Sequence, residues 1–364
     1  MRIFVYEWIC GGGPVLDAGS TPEVLRELLG EGFAMLDSIV EDFLRIYEVD
    51  EVVTIVSRTS LAALGPVMLE RPGVTVREVS CPSTSPGVPL EDLFDTSVAD
   101  CDATLVIAPE FDQQLLSWTQ RVLDRGGRLL GCDPEAVRLT ADKLATASHL
   151  RACGLPTPRV RSVPTDTTTG LPGWVDTLRL PWVIKPRFGA GCGHTRLVRT
   201  ARDATRVLED RLDPVTLAED SVIENAVPEL VATEYVPGVS ASVSCLVGSG
   251  RLDILTPGLQ KITTSSTGHM RYEGGEIPLL PDAWNERACS LAKRTLETIT
   301  GLRGFVGVDL VLGDAEDGSG DSVMEVNPRV TSSYPLLARY DRTRNLAWEW
   351  LNLQASGQPE RPPA

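Results

Sequence analysis

The stretch SVMEVNPRV, Ser322–Val330, decides how this chain is read, because it mirrors GFVGVDLVL at Gly304–Leu312 across a polar turn. Both runs are rich in aliphatic and β-branched residues, so together they predict a β-hairpin. Folding symmetrically about Asp317 sets Asp309 opposite Glu325, since each lies eight residues from it. Side chains alternate along a strand, so Asn327, two residues beyond Glu325, faces the same way. Three oxygen-bearing side chains therefore converge on an otherwise apolar sheet. Two carboxylates facing each other in such a place repel, and a hard cation relieves the repulsion. An incomplete set of oxygen ligands suits Mg²⁺, which uses one or two carboxylates and completes its shell with phosphate oxygens.

A metal site short of protein ligands calls for phosphates, and PWVIKPRFGAGCG at Pro181–Gly193 offers a cradle. A strand ends at Lys185, and Gly189, Gly191 and Gly193 follow in a loop whose N–H groups can approach anionic oxygens. The G-x-x-x-x-G-K-[ST] signature of a P-loop is absent, and taken alone the segment reads equally well as a glycine turn between strands. ATEYVPG, Ala232–Gly238, is a strand closing on a Pro-Gly turn, either a plain edge strand or one that presents Glu234, Tyr235 and Val236 to a purine. The opening MRIFVYEWICGGG, Met1–Gly13, is not a dinucleotide loop, because Pro14 follows its glycines and G-x-G-x-x-G is missing.

Outward from these segments, the first third alternates strand and helix. Strands are predicted at Ile3–Trp8, Glu51–Ser57, Val74–Val79, Ala103–Ala108 and Arg128–Gly131, with helices after Thr21-Pro22 and over Gln113–Arg125. That alternation implies a parallel sheet covered on both faces. Asp133-Pro134 opens a helix expected to run to Gly154 as its C′ glycine. Beyond it, short strands joined by polar turns give an α+β pattern, followed by an amphipathic helix over Asn345–Leu353 and a frayed end at Gln358–Ala364. The expected architecture is multidomain, α/β then α+β. An N-terminal α/β domain spans 1–130.

Composition narrows the function classes. A net charge of −16 over 364 residues leaves no basic surface for nucleic acid or for a polybasic membrane contact. No stretch approaches the roughly 20 apolar residues of a membrane span, and the N-terminus lacks a signal-peptide pattern. The eight cysteines stand singly, with three histidines in the chain, which reads as free thiols in a reducing, cytoplasmic setting.

In order along the chain, TADKLAT with Lys143, GLPTP, VIKPRFGAGCG with Lys185, TEYVPG with Glu234, Asp309, and MEVNPRV with Glu325, Asn327 and Arg329 resemble the ATP-grasp superfamily of carboxylate–amine ligases. The resemblance spans roughly residues 130–335 and implies an ATP-grasp fold behind a Rossmann-like pre-ATP-grasp domain. It also implies a core carrying the metal hairpin over 131–183 and 237–355 and a lid with the glycine loop over 184–236. VYEWICGGG, EGFAMLDSIVEDF, IAPEFD, YEGGEIP and EVNPRVTSSYPLL further resemble the tyramine–L-glutamate ligase group, which joins the glutamate γ-carboxyl to a primary amine in methanofuran-type cofactor assembly.

What the resemblance implies is an ADP-forming ligase working through an acyl phosphate. It puts ATP on Lys143, Lys185, Gly189, Gly191, Gly193, Glu234, Tyr235 and Val236. Two Mg²⁺ ions, for which Mn²⁺ could substitute, would sit on Asp309, Glu325 and Asn327, and Arg329 would hold the transferring phosphoryl group. Ser240 departs from the family pattern, which usually has a ribose-binding glutamate there. Lys261 and Arg271 flank a polar loop and are expected to act on a substrate carboxylate. Glu7, Trp8, Gly11, Gly12 and Glu110 lie at the ends of N-terminal strands, where α/β sheets bind ligands. With Gly274, Gly275 and Tyr334 they are expected to line the acid and amine pocket, Glu7 or Glu110 pairing with a substrate ammonium. The expected partners are small molecules, with a homodimer as the assembly to test. The rival readings are an ATP-grasp enzyme for other substrates, such as a dipeptide-type ligase or a carboxylase, and a non-catalytic ATP-binding protein of the same fold.

Overall fold

The apolar run that opens the chain is buried almost throughout because both faces of its strand are covered, Phe4 and Tyr6 by one hydrophobic cluster and Ile3 and Val5 by another. The structure is a computed structural model and describes residues 1–13, 22–64, 71–79, 88–164, 180–189, 192–210, 229–248 and 250–355. Strands β1 (Arg2–Glu7), β2 (Glu51–Ser57), β3 (Val74–Val79) and β4 (Ala103–Ile107) form a parallel sheet in the order β3-β2-β1-β4. Helices α1 (Pro22–Leu44), α2 (Arg58–Leu64), α3 (Leu90–Asp100) and α4 (Gln114–Asp124) connect and follow them. The order reverses between β1 and β4, so their C-terminal ends open the crevice where such sheets take ligands. The strand expected at Arg128–Gly131 is a single parallel bridge from Leu129 to Thr104. The expected Thr21 cap, Gly191, Cys81 and Gln358–Ala364 lie outside the described residues.

The helix expected from Asp133 to Gly154 is broken. Asp142 is extended (φ −92°, ψ 104°) and separates α5 (Pro134–Ala141) from α6 (Lys143–Ala152). Its carboxylate accepts from the N–H groups of Leu144 and Ala145, capping α6 and placing Lys143 in the first helical position. An aspartate competes with the helix for its own backbone donors, which is why the break falls there. Gly154 closes α6 at φ +73°, a conformation that favours glycine.

Strands β5 (Val160–Ser162), β6 (Trp182–Pro186), β7 (Arg196–Val198) and β8 (Leu230–Glu234), with helix α7 (Ala201–Asp210) after β7, build an antiparallel sheet in the order β5-β8-β6-β7. This sheet starts at Val160 and includes Trp182, ahead of the expected lid boundary at 184. It has its own small core of Trp182, Ile184, Val198, Ala204, Leu230 and Ala232.

A larger mixed unit follows. Strands β9 (Val239–Gly248), β10 (Arg251–Ile254), β11 (Gly258–Thr264) and β12 (Met270–Glu276) precede α8 (Asp282–Leu296), and β13 (Gly304–Leu312) and β14 (Ser322–Asn327) precede α9 (Tyr334–Tyr340) and α10 (Leu346–Ala355). The sheet runs β12-β11-β9-β13-β14, with β10 paired to β9. Its apolar face does not stand apart from the N-terminal domain: Phe4, Tyr6 and Trp8 share one hydrophobic cluster with Val243, Val308 and Val323. Body and N-terminal domain share a core, whereas the small sheet keeps its own and meets the body through backbone hydrogen bonds, from the Leu197 N–H to Gly268 at 2.7 Å and from the Met270 N–H to Thr195 at 2.9 Å. Among the described residues no helix is long and apolar enough to cross a membrane.

The Asp142 break is testable. Arg187 donates to both Asp142 oxygens at 2.6 and 2.9 Å, so Asp142→Ala removes a cap and a two-point charge-assisted contact at once. The expected loss is about 2–3 kcal/mol in denaturant unfolding. Asp142→Asn keeps the cap and should fall between; equal stability of all three proteins would contradict the assignment.

Candidate active site

The hairpin register places Asp309 opposite Glu325 and Gly307 opposite Asn327, so all three oxygen-bearing side chains share a face as the sequence requires. The symmetry assumed for the turn holds only on this side. Between Asp309 and Leu310 the register shifts by one, and Met324 is the extra residue, a bulge next to the acids. On the other flank β9 continues the face: Ser242 lies opposite Asp309 and Ser240 opposite Val311. The alternation S-A-S-V-S at Ser240–Ser244 thus gives a serine row beside the carboxylates and sends Ala241 and Val243 into the core.

Cations from two other elements meet these acids. Lys185, at the end of β6, hydrogen-bonds Glu325 Oε1, and Lys143 Nζ lies 3.9 Å from the same oxygen. Lys143 also donates to the carbonyl of Gly189 at 2.8 Å, tying α6 to the glycine loop. Burial opposes the charge on Glu325, but Lys143, Lys185 and Arg329 outweigh it and hold its pKa below the usual range. Burial lowers the Lys143 pKa, against the pull of Glu325. Asp309 accepts from Gln260 Nε2 at 2.9 Å and Asn327 Nδ2 at 3.0 Å. Burial and the Glu325 charge together push its carboxyl up to about 6.

Arg329 follows the hairpin and reaches across to the N-terminal domain. Its Nε and Nη2 donate to the two oxygens of Glu110, each at 2.9 Å, and Nη1 donates to the Val330 carbonyl at 3.2 Å. Both side chains are buried, 11% and 4% exposed. Burial works against the Arg329 charge, yet Glu110, Asp309 and Glu325 keep its pKa above the ordinary value. Glu110 is therefore committed to Arg329 rather than left for a substrate ammonium.

Other expected site residues are placed differently. Glu7 is buried and accepts from the N–H groups of Cys10 at 2.7 Å and Ile9 at 3.3 Å, so it braces its own loop. Trp8 is 1% exposed and packs edge-on against Phe111. A Cβ on Gly11 would meet the Tyr6 ring at 2.5 Å, and Gly12 has φ +91° with Ser57 and Val79 beside it. These glycines make room for neighbouring side chains. Tyr334 is fully buried and donates to Asp42 at 2.7 Å, fastening α9 to α1, so it lines no open pocket. Lys261 pairs with Glu276 on the next strand, and Arg271 with Glu27 of α1 at 3.4 Å; neither of these contacts reaches the hairpin acids. Gly274, at φ +109°, falls in a bulge of β12, and Gly275 pairs with Gln260 of β11. Glu234 holds Arg159 at 2.9 and 3.0 Å, and the N–H of Tyr235 donates to Pro181.

Four residues at the site carried no role in the sequence reading: Ser242, Gln260, Asp142 and Arg187. The serine alternation on β9 and an aspartate directly before Lys143 were signals that could have found two of them. Gln260 reaches Asp309 only because β11 and β13 both flank β9.

Among the described residues no three acids, histidines or cysteines converge as a metal cage. Two carboxylates and an amide that share a face fit Mg²⁺ nonetheless, because it takes few protein ligands and borrows phosphate oxygens. The Asp309 carboxyl is raised by burial first and by the Glu325 charge second, and a cation at this face would favour its ionised form against both.

Comparison with known proteins places this geometry. The ATP-grasp domain family matches residues 140–333, more than half of the chain, and the pre ATP-grasp 3 domain matches residues 75–137. The chain belongs to the ATP-grasp family. It is an ATP-dependent, ADP-forming C–N ligase. This ATP-grasp chain is 20% identical to the tyramine–L-glutamate ligase of Methanocaldococcus jannaschii over 308 residues, 85% of this chain and 78% of that one. An ATP-grasp superfamily protein from Archaeoglobus fulgidus has a crystal structure similar to it, with TM-score 0.66 and 22% identity over 97% of this chain and 89% of that one. The L-amino acid ligase from Bacillus licheniformis has TM-score 0.60 and 15% identity over 98% of this chain and 76% of that one. The two structural likenesses show a shared fold.

The Asp309 carboxyl gives a pH test. Its folded pKa, about 6, lies above its unfolded value, so its contribution to stability falls as pH rises from the unfolded pKa through about 6. In the metal- and nucleotide-free protein, Asp309→Asn should melt higher than wild type at pH 8, by a gap that narrows towards pH 5. A gap of the same size at both pH values in thermal melts would sink this account.

Proposed function

We propose that the enzyme joins the γ-carboxyl of glutamate to a primary amine such as tyramine, with one ATP consumed per amide. The observation that carries the ligase chemistry is the convergence of two buried ammonium groups, a buried guanidinium and two opposed carboxylates on one sheet face. The relative from Methanocaldococcus jannaschii supports the choice of substrates.

In this reading a carboxylate oxygen attacks the γ-phosphorus, the bridging P–O bond to the β-phosphate breaks, and ADP leaves. The amine then attacks the acyl carbon, its C–O bond to phosphate breaks, and inorganic phosphate leaves with the amine losing a proton. Asp309, Glu325 and Asn327 would hold Mg²⁺, which when bound neutralises phosphate oxygens. Lys143 and Lys185 would bind the polyphosphate, with the backbone at Gly189 and Gly193 beside it to exclude water from the acyl phosphate. Arg329, held in one plane by Glu110, would face the oxygens that gain charge in both steps. Glu234, Tyr235 and Val236 would border the purine, and Ser240 the ribose.

Purified protein with ATP, Mg²⁺, glutamate and a panel of amines, followed by mass spectrometry, tests the proposal. A γ-glutamyl amide is expected, with ADP released only when both acid and amine are present. Glu325→Gln should lower turnover by about 10²-fold or more. A dipeptide product would move the reading to an L-amino acid ligase, and ADP release with neither partner would overturn it.

A further inference from the structure

Glu325 is not standing open for a metal ion. Lys185 is hydrogen-bonded to its Oε1, and Lys143 Nζ lies 3.9 Å from that oxygen. The two lysine side chains are 11% and 9% exposed, so little water screens them. Asp309 is similarly engaged, one oxygen by Gln260 and the other by Asn327. A bare divalent cation brought to Glu325 would therefore meet two ammonium groups already in contact with its ligand, and like charges at that range repel strongly in a buried setting.

Polyphosphate changes the balance. Lys143 and Lys185 come from two different parts of the fold, α6 and the small sheet, and Lys143 is bonded to Gly189 of the glycine loop. Phosphate oxygens in that cradle would draw the ammonium groups away from Glu325. They would also supply the metal's missing ligands.

We infer that Lys143 and Lys185 are resident counter-cations of Glu325, so that a divalent metal binds tightly only once nucleotide phosphates have taken both ammonium groups over. Metal and nucleotide affinities are then coupled through two named side chains, and the coupling is reciprocal: each ligand raises the affinity of the other by the same factor. The inference rests on the nucleotide-and-metal reading of this site.

The test uses the full chain. Mn²⁺ is titrated without nucleotide, with free Mn²⁺ followed by electron paramagnetic resonance, and ADP is titrated calorimetrically in EDTA and in saturating Mg²⁺. Wild type is expected to bind Mn²⁺ weakly alone and ADP at least tenfold tighter with Mg²⁺. Lys185→Gln and Lys143→Gln, each verified as folded by circular dichroism, isolate the lysines. In either variant nucleotide-free Mn²⁺ should bind tenfold tighter or more, the Mg²⁺ effect on ADP should shrink, and adding Glu325→Gln should abolish the gain. Unchanged nucleotide-free Mn²⁺ affinity in both folded lysine variants overturns the inference. So does wild-type Mn²⁺ binding that is equally tight with and without ADP. If one variant does not fold, the other decides. Absence of ADP binding under every condition would instead remove the nucleotide reading on which the inference rests.

Discussion

Two carboxylates, Asp309 and Glu325, are forced to face each other by the register of one hairpin, and the charges around them are arranged in answer to that repulsion. Lys185 arrives from the small sheet, Lys143 from the start of α6 and Arg329 from the loop that leaves the hairpin. Arg329 is itself offset by Glu110 on the far domain. Charge alternates outward from the hairpin, each buried ion made tolerable by the next. Such networks contribute little net stability, because desolvation consumes most of the Coulomb gain, yet removing one member leaves an uncompensated charge. The site is therefore held in one arrangement by electrostatics more than by packing.

Packing supplies the frame. The N-terminal sheet and the hairpin sheet share a hydrophobic cluster, so Glu110 and Arg329 are brought together across a common core. The small sheet carries a separate core, and the contacts that bring it to the hairpin site are polar: Lys185 to Glu325, Arg187 to Asp142, and Gly189 to Lys143. Polar contacts exchange partners readily when an anion enters, whereas an apolar interface does not. An element built this way can answer to the presence of phosphates without disturbing the core behind it.

The glycines that open the chain show how local pattern can mislead. A strand running into Gly11, Gly12 and Gly13 looks like a place where a backbone approaches a ligand. The neighbours it accommodates are internal: the ring of Tyr6 beside Gly11 and the indole of Trp8 beside Gly13. Large aromatics folded back over their own loop need the absence of a Cβ as much as any substrate would, and sequence does not distinguish the two. Tyr334 is a similar case, a polar aromatic beside the site in sequence whose hydroxyl turns to Asp42 in the interior.

The sequence by itself determined the hairpin, its pairing of Asp309 with Glu325 and the shared face of Asn327. Strand alternation is a strict period of two, and the distances along the chain are short. It also determined the α/β opening, the glycine-ended α6 and the lysine at the end of β6, all local consequences of patterning. Only the tertiary structure decided which charges meet: Glu110 with Arg329 across 219 positions, Lys185 with Glu325 across 140, and Gln260 with Asp309 across a strand between them. Such pairings depend on which sheets pack together and in what order, and nothing in local spacing encodes that. A carboxylate seeks the nearest buried cation in space, and the fold alone chooses which one it finds.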